Sequence, residues 1–114
     1  MFLVSLLSPD ATDSARFGPK AANLAALGQA GLPIPDGICL DAAAYRLQLE
    51  ALGLESSARG AFAADDPAEA RRHALRMKLE LPEQPILPSI LEPLLDAWRD
   101  LVARTGGALT AVRS

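Results

Sequence analysis

The sequence predicts an α/β fold, a small sheet of short strands packed with about four helices. Three observations predict it. Short apolar runs bounded by turn residues, at residues 2–7 and 38–40, have the length and composition of strands. Elsewhere apolar residues recur at three- and four-residue spacing, the period of an amphipathic helix. The order is strand, helix, strand, further helices and a last strand, which suits helices covering a sheet.

Taken in order, Phe2 to Leu7 reads as a buried strand closed by Ser8-Pro9-Asp10. After a polar stretch, Phe17-Gly18-Pro19 opens a helix, because the N–H that proline lacks has no partner at the first helical position anyway. Leu24, Leu27 and Ala30 or Gly31 mark its apolar face, and Gly31 followed by Pro33 stops it. Residues 32–37 form a rigid extended turn, since each proline also restricts the residue before it. Ile38-Cys39-Leu40 is the second strand. Asp41 then caps a helix in which Tyr45, Leu49 and Leu52 repeat at helical spacing, and Gly53 ends it.

Residues 54–65 are small and polar and read as a loop without a site. Asp66-Pro67 starts the next helix, with Ala70, Ala74, Met77 and Leu81 facing inward and Arg71, Arg72, Arg76 and Lys78 facing outward. Pro82, Pro85 and Pro88 break the chain, and Ser89 with Glu92 has the pattern of a capping box. Ile90, Leu91, Leu94, Leu95, Trp98, Leu101 and Val102 give the strongest periodic signal in the sequence; Pro93 places the true start a residue or two later. Gly106-Gly107 ends that helix, and residues 108–112 read as a third strand.

Composition excludes several classes. The 114 residues suffice for one domain, and half of them are hydrophobic. Eleven basic and 14 acidic residues, scattered along the chain, leave no nucleic-acid footprint. The one cysteine, Cys39, admits neither an intrachain disulfide nor a cysteine metal cluster, and fits a reducing compartment. No run approaches the ~20 apolar residues of a membrane span, and the amino-terminal run lacks the basic start of a signal peptide. The expected location is cytoplasmic, without membrane or nucleic-acid partners.

Two cations occupy positions with chemical meaning. Lys20 stands in the first turn of the first helix, where unpaired N–H groups and a positive dipole end attract phosphate, and Gly18 lets a ligand approach the backbone. The same spacing also fits a solvated surface lysine. Arg113 follows an apolar strand, on the side where open α/β sheets bind ligands, and a guanidinium forks onto phosphate oxygens. It equally fits a charge marking a strand end. His73, the single histidine, lies among arginines and reads as a surface residue, while Cys39, Tyr45 and Trp98 read as core. No Walker-type loop, metal-ligand cluster or Ser-His-Asp set is present, so neither catalytic residues nor metal ligands are expected within the chain.

The segment Phe17-Gly18-Pro19-Lys20-Ala21-Ala22-Asn23-Leu24-Ala25 resembles the opening motif of the phosphoenolpyruvate synthase, pyruvate phosphate dikinase and rifampin phosphotransferase family. Gly31-Leu32-Pro33-Ile34-Pro35-Asp36-Gly37-Ile38-Cys39-Leu40 resembles the block that follows it, and Ala111-Val112-Arg113-Ser114 the start of the family's Val-Arg-Ser-Ser segment. The three blocks keep the family's order and spacing. The resemblance implies an ATP-grasp-like nucleotide-binding domain, of which residues 1–114 are a single amino-terminal subdomain, with a continuation expected beyond Ser114. It also implies that Lys20 and Arg113 contact ATP phosphates.

By the same resemblance the parent protein is an ATP-dependent phosphotransferase of the pyruvate, water dikinase kind. Its Mg²⁺ ligands and phosphocarrier histidine are expected outside this chain, and pyruvate or another acceptor is bound by its remaining domains. The fragment alone is then inactive. The alternative is a stand-alone, non-catalytic nucleotide-binding or regulatory module. One departure stands out: Pro19 occupies the place of the family's usual second glycine, which stiffens the loop and removes one N–H from any phosphate cradle.

Overall fold

β1 (Leu3–Ser5) and β2 (Ile38–Leu40) pair antiparallel, with Leu3 opposite Leu40, Val4 opposite Cys39 and Ser5 opposite Ile38. The computed structural model describes residues 2–107 and Val112. The third strand expected at residues 108–112 lies outside the described residues, except for Val112, which has no regular structure and is exposed. The described chain forms two units, Met1–Ala44 with Pro88–Ser114 and Tyr45–Leu87.

In the first unit, β1 is shorter than the apolar run that predicts it. The Ser5 carbonyl accepts from Ser8 N–H at 3.0 Å and the Ser5 hydroxyl from Leu7 N–H at 3.2 Å, so local turn bonds replace the ladder. The chain then makes a 3₁₀ turn, Pro9–Thr12, where the sequence reading has the Ser8-Pro9-Asp10 close of the strand and the start of a polar stretch. Helix α1 (Ser14–Gln29) follows with Asp13 as its cap, and it is interrupted at Gly18 by φ 82° and ψ 163°. The expected opening at Pro19 is therefore the restart of the helix after one earlier turn.

Its end is a Schellman motif. Leu32 N–H reaches the Leu27 carbonyl at 3.1 Å, and Gly31 N–H reaches Gly28 at 3.1 Å, with Gly31 at φ 91°. Two strands do not hold themselves together in water, so helices must cover them. α1 packs on β2 and on the 3₁₀ turn, and helix α5 (Pro88–Thr105) packs on both strands. Leu6, Ala11, Ala25 and Cys39 form the buried centre, with Val4, Phe17, Ala21, Leu24 and Ile34 packed around it. Burying a side chain the size of Leu6 is worth about 1.5–3 kcal/mol.

α5 begins one residue before Ser89, which places that serine inside the first turn and rules out the capping-box position expected of it. Its inward line runs Ile90, Leu94, Ala97 and Leu101. Trp98 lies on the flank of that line and stays 40% exposed, so it is not the core residue expected.

The second unit corrects the sequence reading most. Residues 54–65, read as a loop, contain helix α3 (Glu55–Ala63), anchored by the fully buried Leu54 and by Ser57. Helix α2 (Ala42–Ala51) ends at Gly53 as expected, again with a Schellman bond, from Leu54 N–H to the Leu49 carbonyl at 2.9 Å. Tyr45 is half exposed rather than core. Helix α4 (Pro67–Glu80) starts where Asp66-Pro67 predicts, the Asp66 carboxylate accepting from Ala68 N–H at 3.0 Å.

The covered line of α4 is Ala70, His73, Met77 and, just past its end, Leu81, with His73 in the place expected of Ala74. α4 packs on α3, where a Cβ added at Gly60 would come within 2.7 Å of His73 Nε2. His73 thus packs against a glycine on one side and keeps about 33% of its side chain exposed on the other. Gln48 braces the proline-rich segment: its Nε2 donates to the Pro85 carbonyl and its Oε1 accepts from Leu87 N–H, each at 3.0 Å.

Candidate phosphate-facing corner

The first unit builds one corner from the residues singled out by the sequence. Asp13 starts it: its carboxylate accepts from Ala15 N–H at 3.0 Å, and its carbonyl accepts from Arg16 and Phe17 N–H at 3.2 and 3.0 Å. That single turn ends at Gly18, whose φ of 82° lies where a Cβ is strained. Pro19 then restarts the helix, and Lys20 falls in the restarted first turn with its residue exposed. Nothing lies within 4 Å of a Cβ built on Gly18, so the backbone there is open to a ligand.

Helix-start N–H groups, a positive dipole end, an accessible glycine and a lysine make a set that fits a phosphate chain. Gly18 and Lys20 both lie at this restart, on either side of Pro19. Arg113 lies outside the described residues. Among the described residues no three His, Cys, Asp or Glu side chains are grouped to hold a metal ion.

Two ion pairs hold the corner and the second sequence block, and neither is visible in residue spacing. Arg16 Nε donates to Asp41 Oδ2 at 2.8 Å, and its guanidinium stacks over the Phe17 ring at 4.7 Å from the centroid. The Asp41 bond raises the Arg16 pKa above its ordinary value, with burial opposing it. Asp41 was legible as a helix cap, and it is one: Oδ1 accepts from Ala43 N–H at 2.8 Å. Its second oxygen, turned to Arg16 across 25 residues of sequence, was not legible.

Likewise Asp36 accepts from Arg104 Nε at 3.2 Å and from Arg104 Nη2 at 3.3 Å, a fork that fixes both planes. Arg104 also bonds Asp100 one turn earlier. The Arg104 hydrogen bond holds the Asp36 carboxyl below its usual range, against the opposing effect of burial. Cys39, buried in β2, has its thiol pushed up by burial, which makes it inert core rather than a nucleophile.

An open groove on the same unit lies along β1 and α5, lined by Leu3, Ile38, Pro93, Asp96, Asp100 and Arg104 among others. Gly18 and Lys20 do not line it, and two of its three charged side chains are carboxylates, a poor lining for phosphate.

Residues 14–114 match the family model described as pyruvate phosphate dikinase, AMP/ATP-binding domain. No curated protein and no solved structure matches the chain. Among the described residues no helix is long and apolar enough to cross a membrane.

Proposed function

Because this chain belongs to the pyruvate phosphate dikinase AMP/ATP-binding domain family, it is part of a nucleotide-binding domain of the dikinase type, and we propose that its Gly18–Lys20 corner engages the phosphates of ATP. The observation that carries the reading is the interrupted helix. A helix that restarts after an open glycine turns its positive dipole end to that glycine, and Lys20 adds a full charge at that place. Phosphoryl-transfer sites work mostly by positioning and charge neutralisation, which is what this corner supplies. Arg113 is the second phosphate contact in this reading.

The larger activity is an ATP-dependent dikinase or phosphotransferase reaction, with Mg²⁺ and an acceptor such as pyruvate held by further domains of a parent chain. This chain alone then carries out no transfer and contributes binding. The corresponding location is the cytoplasm.

Titration with ATP followed by amide NMR tests the corner directly. The Gly18, Lys20 and Ala21 signals are expected to move most. Lys20→Ala is expected to weaken binding about tenfold, a change of ~1.4 kcal/mol. Equal affinity in wild type and variant would overturn the assignment.

A further inference from the structure

Gly18 is a backbone position that only the flanking residues can aim. Past it, Pro19 fixes its own φ. Ahead of it, Phe17 is packed into the core and Arg16 is clamped to Asp41. Asp41 is only 8% exposed, and both its oxygens are engaged, Oδ2 by Arg16 at 2.8 Å and Oδ1 by Ala43 N–H at 2.8 Å. Its own N–H donates to the Phe2 carbonyl at 2.7 Å. Asp41 is thus held on both sides, by its backbone N–H to the chain entering β1 and by its carboxylate to the start of α2. A rigid anion at that place holds Arg16, and Arg16 with Phe17 forms the last turn before the corner.

We propose that Asp41 is a positioning residue for phosphate binding, acting through Arg16 on the direction in which the Gly18 corner presents the Lys20 side chain. The inference rests on the phosphate-facing reading of that corner. Asp41 touches no ligand in this scheme. Its neutral isostere asparagine keeps the oxygen that caps α2 and loses the anion that holds Arg16, which separates positioning from folding.

The experiment is a double-mutant cycle on the 114-residue chain, with inorganic tripolyphosphate as the probe and thermal unfolding as the fold control. Asp41→Asn is expected to weaken tripolyphosphate binding about fivefold, and Lys20→Ala about tenfold. In the Lys20→Ala background Asp41→Asn is expected to add little, because a mis-aimed corner has already lost its charge. A purely structural residue would instead weaken binding by the same factor in both backgrounds, and that additivity overturns the proposal. So does undiminished binding in Asp41→Asn when Lys20→Ala is impaired. Undiminished binding in Lys20→Ala sinks the underlying reading instead, which keeps the two failures apart.

If Asp41→Asn does not fold, Arg16→Gln breaks the same pair from its more exposed partner and leaves the cap in place. It is expected to reproduce the fivefold loss and the same non-additivity. Arg16→Lys, which keeps the charge, is expected to recover part of the binding. Failure of Arg16→Gln to weaken binding overturns the role of the pair.

Discussion

At Gly18 the cost of substitution is set by torsion and not by space. A Cβ there would meet nothing within 4 Å, yet φ 82° with ψ 163° lies in a region that is essentially glycine's alone. Gly18→Ala is therefore expected to destabilise the chain by about 1–3 kcal/mol, read as a lower urea midpoint at unchanged slope. Relaxation toward a helical φ would straighten the interruption, so nucleotide binding should fall with it. Unaltered stability and binding would show that the corner is soft and the glycine incidental. The restart of α1 at Gly18-Pro19 was legible in the sequence because its signal is local, a glycine followed by a proline at a helix start. Asp41 was half legible, since a cap is local and a pairing across 25 residues is not.

Among the elements, those with local punctuation were readable. Asp41, Asp66 and the glycines at positions 31 and 53 mark helix ends that the structure retains. α3 was not readable, because Glu55–Ala63 carries few large apolar residues and no side-chain cap. Its helix rests on tertiary packing, against α4 and through the buried Leu54 and Ser57, which local propensity does not report. Packing also decides the C-terminal turn of α1. A Cβ at Gly28 would lie 2.6 Å from Ile34 Cδ1 and 3.0 Å from its Cγ1.

Alanine gains about 1 kcal/mol over glycine inside a helix, whereas overpacking costs about 1–3. Ile34 is packed against the core and both its Cδ1 and its Cγ1 would be crowded, so crowding wins and Gly28→Ala is expected to lose about 1 kcal/mol net. Ile34→Val removes the Cδ1 methyl, and in that background Gly28→Ala is expected to be neutral or stabilising. Urea unfolding of the four variants measures the coupling. A cycle that closes additively would mean the two positions are not in contact.

For the first unit as a whole, the charged tethers join segments far apart in sequence, and they make its stability depend on pH in a stated direction. Arg104 on α5 holds Asp36 in the second sequence block, 68 residues away. Asp36 binds its proton more weakly folded than unfolded, so the stabilisation is complete above the unfolded carboxylate value of about 3.9. It is lost as pH falls through the lower folded value, because the protonated carboxyl no longer pairs with the guanidinium. Arg104 and Arg16 titrate above their ordinary values and stay charged throughout this range.

Thermal unfolding between pH 7 and pH 2.5 should therefore show the wild type losing its advantage over Asp36→Asn only below about pH 4. Partial solvent exposure of both partners keeps that advantage modest. The other carboxylates titrate equally in both proteins, so the difference between the two curves isolates this pair. Repeating the measurement at 1 M salt, where screening acts over about 3 Å, should shrink the difference without abolishing the fold. Parallel curves for the two proteins at every pH would mean that the Arg104–Asp36 fork contributes nothing to holding α5 against the loop before β2, and that apolar packing alone seats the helix.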